Sequence, residues 1–275
     1  MTSALYDVPG PRFKRQIRIG TVIGAVLMAG GAALMLWRLG SQGLLDADRW
    51  DVFQNPDTWT FLWNGLLNTL KAAAVATVLA TVLGVVIATA RMSHTAALRV
   101  PAIVVIEFFR GLPVLLLMFF TLIVFSSTSF WAVVAGLTIY NAAVISEILR
   151  AGVVALPSGQ REAGMAIGLT PMQVLLQIQL PQAVRNMMPS LVSQVVVLLK
   201  DTSLGSIVAY SELLRSVQNL RDFFGGKYIF SIFFVAAAIY IAVNFSISQL
   251  ANYLERRQRR VGTSAGAPTE NVPAG

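Results

Sequence analysis

The chain has 275 residues, of which 56% are hydrophobic and only 12% charged, and its mean hydropathy is +0.68. This composition excludes a soluble globular domain, a disordered chain and collagen, and it favours helices packed in lipid. The absence of cysteine excludes disulfides, thiolate nucleophiles and cysteine-ligated zinc or iron–sulfur sites. The formal net charge of +8 leaves nucleic acid and anionic lipid open as partners until the positions of the basic residues are considered.

Six apolar stretches approach the roughly 20 residues that a helix needs to cross a bilayer. In chain order we predict spans at residues 19–37, 66–90, 102–125, 130–149, 187–209 and 228–250. The first span follows a basic segment, 1–18, as a signal peptide would, but no small-residue cleavage site follows Trp37, so we expect it to be retained. We expect an extracytoplasmic linker at 38–65 and a disordered cytoplasmic tail at 255–275.

The positions of the cations give the orientation. Placing the N-terminal basic segment in the cytoplasm puts most of the 21 basic residues on the same side, including those of the C-terminal tail. This bias follows the positive-inside rule and predicts that both termini are cytoplasmic. Because membrane topology then accounts for the net charge, we do not expect nucleic acid as a partner, whereas membrane lipid is one.

A stripe of small side chains runs along the second span. The stripe occupies every fourth position: Ala72, Ala76, Ala80, Gly84 and Ala88. Because lipid supplies no hydrophobic drive between helices, association depends on close packing of such faces. We therefore predict a helix-packing face here, against a helix of this chain or of another.

Ionisable residues inside the predicted spans are costly unless they are paired or hydrated. Two pairs have the i, i+3 spacing that shares a helix face, and a third pair lies in the fifth span: Glu107 with Arg110, Glu147 with Arg150, and Lys200 with Asp201. Each is either a locally neutralised interfacial pair or part of a hydrated path for a charged or zwitterionic solute. The candidate path residues are Glu107, Arg110, Glu147, Lys200 and Asp201. Gly111 and Pro113 should interrupt the third span.

The only long polar segment lies between the fourth and fifth spans, on the cytoplasmic side of this topology. We predict a short helix that ends at Gly168 in a left-handed cap. A second helix should start with Thr170 as N-cap, Pro171 at the first position and Gln173 closing a capping box. Pro181 should end that second helix. The two helices would present an apolar knob made of Met165, Ile167, Met172, Val174, Leu175 and Ile178, which is typical of a docking element.

The residues of this segment resemble the EAA loop of membrane permease subunits of bacterial ABC importers, whose pattern is E-A-A-x3-G-x9-I-x-L-P. The matching positions are Glu162, Ala163, Gly164, Gly168, Ile178, Leu180 and Pro181, with Gly164 in place of the second alanine. Four further segments are similar to the polar amino-acid branch of that family: 68–71, 106–113, 145–152 and 199–204. The resemblance covers about residues 66–254 and leaves the first span as an N-terminal addition.

The resemblance implies an all-α membrane protein with a five-helix core, one extra N-terminal helix and a helix-turn-helix coupling loop at 158–185. It implies a heteromeric importer in the bacterial plasma membrane, with two permease subunits, identical or related, and a dimer of ATP-binding subunits. An extracytoplasmic solute-binding protein would deliver an amino acid. In the family the EAA-loop helix sits in a groove of the ATPase, which assigns coupling to the loop residues, with Thr170 and Pro171 beside them. Overall similarity favours glutamate, with glutamine, aspartate or a basic amino acid as alternatives.

The residues themselves agree that energy comes from a partner. No G-x-x-x-x-G-K-[ST] loop occurs, so we expect no ATP site, and we predict no catalytic residue, metal or cofactor. A secondary transporter would usually show inverted repeats, and the EAA-like loop would be unexplained. A membrane enzyme would need a reactive cluster, yet the one histidine, His94, lies in a short cytoplasmic turn.

Overall fold

The computed structural model describes residues 10–263, and in that range every regular element is a helix. The α-helices in chain order are α1 (Pro11–Ser41), α2 (Pro56–Arg91), α3 (Ala96–Gly111), α4 (Val114–Val124), α5 (Ser129–Val154), α6 (Ser158–Ala166), α7 (Pro171–Val174), α8 (Leu180–Asn186), α9 (Met188–Asp201), α10 (Leu213–Phe224) and α11 (Ile229–Thr263). A π-helix at Leu175–Gln179 joins α7 to α8, and short 3-10 helices lie at Ala47–Arg49, Asp51–Gln54, Thr202–Ser206 and Gly226–Tyr228. The predicted all-α class is confirmed.

The chain divides into two compact units at Gln54 and Asn55. The first unit holds α1 and the first two 3-10 helices. Helix α1 contains the predicted first span and also residues 11–18 of the basic segment before it, and its apolar side chains are exposed along its length. The second unit holds every other element.

Four helices in the described range are long and apolar enough to cross a membrane, rather than six. They are Arg12–Ser41, Pro56–Arg91, Ser129–Val154 and Gly226–Gln249, and the bent pair α3 and α4 counts as a fifth if it forms one span. Helix α2 begins ten residues before the predicted second span, because the Asn55 side chain accepts a hydrogen bond from the Asp57 N–H and Pro56 occupies the first helical position. The predicted linker is correspondingly shorter.

The predicted third span is not one helix. The chain bends by 102° between α3 and α4, across the predicted interruption at Gly111 and Pro113. The interruption is confirmed. A continuous span over 102–125 is wrong, because Pro113 lacks an N–H and Leu112 before it is extended.

The predicted fifth span, 187–209, is not one continuous α-helix either. Helix α9 has 14 residues, so it is about 21 Å long against a hydrocarbon core of about 30 Å. Its last carbonyl groups need other donors. The hydroxyl groups of Thr202 and Tyr240 donate to the Leu199 oxygen at 2.6 and 2.7 Å, and that of Ser203 donates to the Lys200 oxygen at 2.9 Å. These three hydroxyls let the helix end at Asp201 inside the protein.

Helix α11 continues to Thr263, beyond the predicted end of the sixth span at Leu250. The prediction that residues 255–263 belong to a disordered tail is therefore wrong for this part. The remainder of that predicted tail, 264–275, lies outside the described residues, as do residues 1–9 of the predicted basic segment.

The small-residue stripe of α2 is buried against α5 of the same chain. Its four alanines have no exposed surface, and Gly84 is buried with them. A Cβ added at Gly84 would lie 2.8 Å from the Ile145 Cγ2 and 3.1 Å from the Ala142 carbonyl oxygen. The stripe thus lies against α5, the partner that the sequence left open.

Replacing Gly84 by valine should destabilise the fold, because the added side chain must push α5 away. We expect a cost of about 1–3 kcal/mol, measured as a lower midpoint of thermal unfolding in detergent. Gly24→Val is the matched control, since nothing lies within 4 Å of a Cβ at Gly24. Equal midpoints for the two variants would contradict the close contact.

Candidate functional site

The polar segment after α5 folds as the sequence predicts at its turn. Helix α6 is followed by Gly168, whose φ of +88° is the left-handed conformation that glycine adopts without strain. Thr170 and Gln173 form the predicted capping box, with the Gln173 N–H donating to the Thr170 Oγ1 and the Thr170 N–H donating to the Gln173 Oε1. The turn between the two helices is therefore fixed by local sequence. We call residues 158–186 the coupling segment.

The prediction that Pro181 ends the second helix is wrong. The chain widens into the π-helix Leu175–Gln179, where the Leu180 N–H donates to the Leu175 carbonyl. Pro181 then lies in the first turn of α8, where a missing N–H costs little. The coupling segment consequently runs on to Asn186 and leads directly into α9.

Gly164 departs from the EAA pattern, and packing accounts for it. It is buried in α6, and a Cβ added there would lie 2.8 Å from the Val174 Cγ2 and 2.9 Å from the Ile178 Cδ1. Both atoms are the ends of flexible side chains, so an alanine would fit after small shifts. The glycine allows α6 to lie directly on the second helix.

The exposed surface of the coupling segment is a smaller knob than predicted. Met165, Ile167 and Leu176 are exposed by 46%, 77% and 45%, and Glu162 and Ala163 are exposed beside them. Val174 and Leu175 are instead buried and hold the two helices together. An apolar surface next to a carboxylate is suited to a protein partner.

A cluster of charges joins the ends of three helices. The Arg91 Nη1 at the end of α2 lies 3.0 Å from the Glu147 Oε2 and 3.5 Å from the Glu107 Oε1. The predicted pair of Glu147 with Arg150 is confirmed at 2.6 Å. The predicted pair of Glu107 with Arg110 is wrong, since no ion pair joins these two side chains among the described residues. The Glu107 carboxylate pairs instead with Arg91, which the sequence did not single out.

The turn between α2 and α3 also reaches the coupling segment. The Nε2 of His94 in this turn lies 3.5 Å from the Nη2 of Arg161 in α6. The one histidine of the chain thus contacts a side chain of α6, in keeping with a loop residue. No group of three or more metal-binding side chains occurs in the described part of the chain.

The second group of predicted path residues lies at the far end of α9. Ser190, Ser193, Val197 and Lys200 are exposed and fall on one face of this helix, at spacings of three and four residues. Gln194, beside that face, donates to the Asn141 Oδ1 of α5 at 2.7 Å. No ion pair joins Lys200 to Asp201 in the part of the chain described. A polar stripe therefore leads along α9 to a lysine near its end.

Helix α2 holds the segment after α9 through two residues of the 68–71 motif. Asn68 donates from its Nδ2 to the Ser211 carbonyl at 2.8 Å, and its own carbonyl accepts from the Tyr210 hydroxyl at 2.9 Å. The Thr69 Oγ1 accepts from the Leu213 N–H at 3.1 Å. These contacts cannot be predicted from local sequence, because the partners are more than 140 residues apart.

Glu212 caps α10 and was not predicted. Its carboxylate accepts from the Leu214 and Arg215 N–H groups at 2.8 and 2.7 Å, and the residue has no exposed surface. Glu212 lies outside the helices long enough to span a membrane. Burial raises the pKa of Glu212 to about 7, although the two N–H groups act in the opposite direction.

Comparison with known proteins decides the family. The sequence profile described as binding-protein-dependent transport system inner membrane component matches residues 80–260. The chain belongs to this family. It is therefore a permease subunit of an ATP-driven importer, as the EAA-like pattern indicated.

Relatives of this permease match most of its length. It is 41% identical over 245 residues to the glutamate transport system permease protein GluD of Corynebacterium glutamicum, covering 86% of this chain and 87% of the relative. It is 39% identical over 204 residues to the probable glutamine ABC transporter permease protein GlnP of Bacillus subtilis, covering 72% and 94%.

Solved structures show the same fold. An amino acid ABC transporter crystallised with histidines superposes with a TM-score of 0.65 at 30% identity, covering 72% of this permease and 94% of that chain. A methionine ABC transporter in an inward-facing conformation gives a TM-score of 0.64 at 19% identity, over 74% of this permease and 99% of that chain. The core of this permease thus has the fold of importer permeases.

The Glu212 cap predicts a pH dependence of stability. The folded-state pKa of about 7 lies above the unfolded value of 4.5, so folding takes up a proton between these values. Stability should therefore fall as the pH rises from 5 to 8. Glu212→Gln should flatten this dependence in thermal unfolding, whereas the exposed Glu162→Gln should keep it. An unchanged slope in Glu212→Gln would contradict the buried cap.

Proposed function

We propose that this permease carries glutamate or a closely related acidic or amide amino acid. The observation that carries the proposal is the exposed stripe of α9, which leads past Ser190 and Ser193 to Lys200. An ammonium group and hydroxyls facing lipid would be costly, so we infer that this face lines a hydrated path. The names of the relatives support a substrate with a carboxylate side chain or its amide.

Lys200 and Asp201 would meet the amino acid near the middle of the bilayer. Lys200 lies twelve residues from the start of α9, which is about 18 Å. Its ammonium group would bind the side-chain carboxylate, and the neighbouring carboxylate of Asp201 suits the α-amino group. Glu107, Arg110 and Glu147, which were also candidates, lie near the other end of the path, where Arg91 joins two of them, and we assign them no contact with the solute.

The coupling segment would dock on the ATP-binding subunits. Glu162 and the exposed apolar side chains around Ile167 form the contact surface, and Gly168 fixes the turn that presents it. Because the segment continues through α8 into α9, ATP-driven movement of the partner would shift the helix that bears Lys200. In this proposal both termini and the coupling segment are cytoplasmic, and a solute-binding protein delivers the amino acid from outside.

The full assembly follows from this arrangement. The α9 stripe is exposed in a single chain, so we expect a second permease subunit, identical or related, to close the path on the other side. A dimer of ATP-binding subunits would supply the energy. In this proposal the permease itself catalyses no reaction.

Lys200→Gln should raise the KM for glutamate uptake at least about tenfold, because a charge-assisted bond to the carboxylate is lost. Glutamine uptake, where it occurs, should change less. The measurement is uptake of radiolabelled amino acid by proteoliposomes holding the whole importer with its binding protein. Lys227→Gln, an exposed lysine before α11, is the control. An unchanged glutamate KM in Lys200→Gln would remove Lys200 from the path.

Gly168→Val and Glu162→Ala should uncouple the importer. Valine strains a backbone with positive φ, and alanine removes the exposed carboxylate at the docking surface. We expect uptake to fall at least about tenfold while the protein still inserts and keeps its thermal midpoint within a few degrees. Gly159→Ala, where a Cβ meets nothing within 4 Å, should retain uptake. Normal uptake by both variants would contradict the docking role.

A further inference from the structure

Helix α3 is set almost at right angles to the helix that follows it. Helix α4 packs along α5, since a Cβ added at Gly136 would meet the Met118 side chain and Val114 lies in the same buried core. Helix α5 is a candidate membrane span, and the bend between α3 and α4 is 102°. Because α4 runs along the span α5, and α3 is turned through that angle from α4, α3 cannot itself run along the membrane normal.

The contact of Glu107 with Arg91 places the two ends of α3 at about the same height along the direction of α2. Helix α3 starts at Ala96, directly after the four-residue turn that follows Arg91, yet Glu107 near its other end lies 3.5 Å from the Arg91 guanidinium. If α3 ran parallel to α2, the eleven residues from Ala96 would carry Glu107 about 16 Å away from that level. Helix α3 therefore crosses the ends of α2 and α5 rather than following them.

The sides of α3 differ in a way that fits this orientation. Ala102 and Ile106 are buried toward α2 and α5. A broad apolar face is exposed on the far side: Leu98, Val100, Val104, Val105 and Phe108. Arg99 and Arg110 are exposed at the two ends of the buried face, seven residues before and four residues after Ile106, and the charge of Arg110 also acts on Glu147 of α5.

We propose that α3 lies in the plane of the membrane, at the interface next to the ends of α2 and α5, and that Arg99 and Arg110 bind the phosphates of anionic lipids. The apolar face would rest in the acyl chains, as it does in interfacial amphipathic helices. The two guanidinium groups, eleven residues and about 16 Å apart along the helix, can engage separate headgroups.

The depth of α3 tests its orientation directly. The chain has no cysteine, so single cysteines at Val100, Val104 and Phe108 can carry nitroxide labels in lipid vesicles. Oxygen and nickel accessibility should place the three labels at similar depth. An upright helix would spread them over about 12 Å. The matched control is Val78, Val82 and Val86, exposed on α2 at the same spacing, which should show that 12 Å gradient. A gradient on α3 equal to that on α2 would overturn the proposal.

Lipid selectivity tests the two arginines. The purified permease in nanodiscs of phosphatidylcholine with spin-labelled phosphatidylglycerol should retain the anionic lipid at least threefold over its zwitterionic counterpart. The double variant R99Q/R110Q should lose this preference, and R161Q/R185Q, which removes the same charge from the coupling segment, should keep it. No preference in the unmodified chain, or equal loss in both variants, would overturn lipid binding. Neither experiment needs ATP or a partner, so failure of the proposed transport function would leave the result intact.

Discussion

The close approach of α2 to α5 is the constraint on which the rest of the molecule depends. Alanine or glycine at every fourth position of α2 lets the two backbones meet, and Gly84 lies where even a methyl group would press on the Ala142 carbonyl. In lipid this contact cannot be driven by the hydrophobic effect, so it relies on complementary shape. Once the two helices are joined, their ends fix the positions of Arg91 and Glu147, and hence of α3.

The same pair of helices supports the elements that bear the functional residues. Asn141 of α5 accepts a hydrogen bond from Gln194 and so holds α9, while Asn68 and Thr69 of α2 bind the segment after it. Helix α9 can end inside the protein because Thr202, Ser203 and Tyr240 satisfy its last carbonyls. Lys200 is thereby held at the end of a short helix and is exposed on one face. A fully apolar span would have buried this lysine or excluded it.

The sequence predicted features that depend on neighbouring residues. The Gly168 turn, the capping box at Thr170 and the interruption at Gly111 and Pro113 all follow from backbone chemistry within a few positions. The small-residue stripe was visible by its period, although its partner was not. The residues and spacing of the EAA-like pattern, together with four further segments, indicated the family that the profile match shows.

Features that depend on distant residues were missed or misread. Glu107 pairs with Arg91 rather than with Arg110, because the turn at residues 92–95 brings α3 back across the end of α2. Hydropathy counted 102–125 and 187–209 as spans, since it measures apolar content and not direction or helix length. Pro181 does not end its helix, because a π-turn before it removes the clash between the proline ring and the carbonyl of the preceding turn. The Glu212 cap could not be anticipated, as its burial arises from the packing of α10 on α2 and α11.

We propose that a separate ATPase docked on residues 158–186 drives this permease. The most direct measurement is affinity isolation of the chain from gently solubilised native membranes, with mass spectrometric identification of stoichiometric partners. The account predicts recovery of an ATP-binding subunit in equal amount to the permease subunits, and its loss from the Gly168→Val variant. Recovery of the unmodified chain alone, still transporting without ATP, would contradict it.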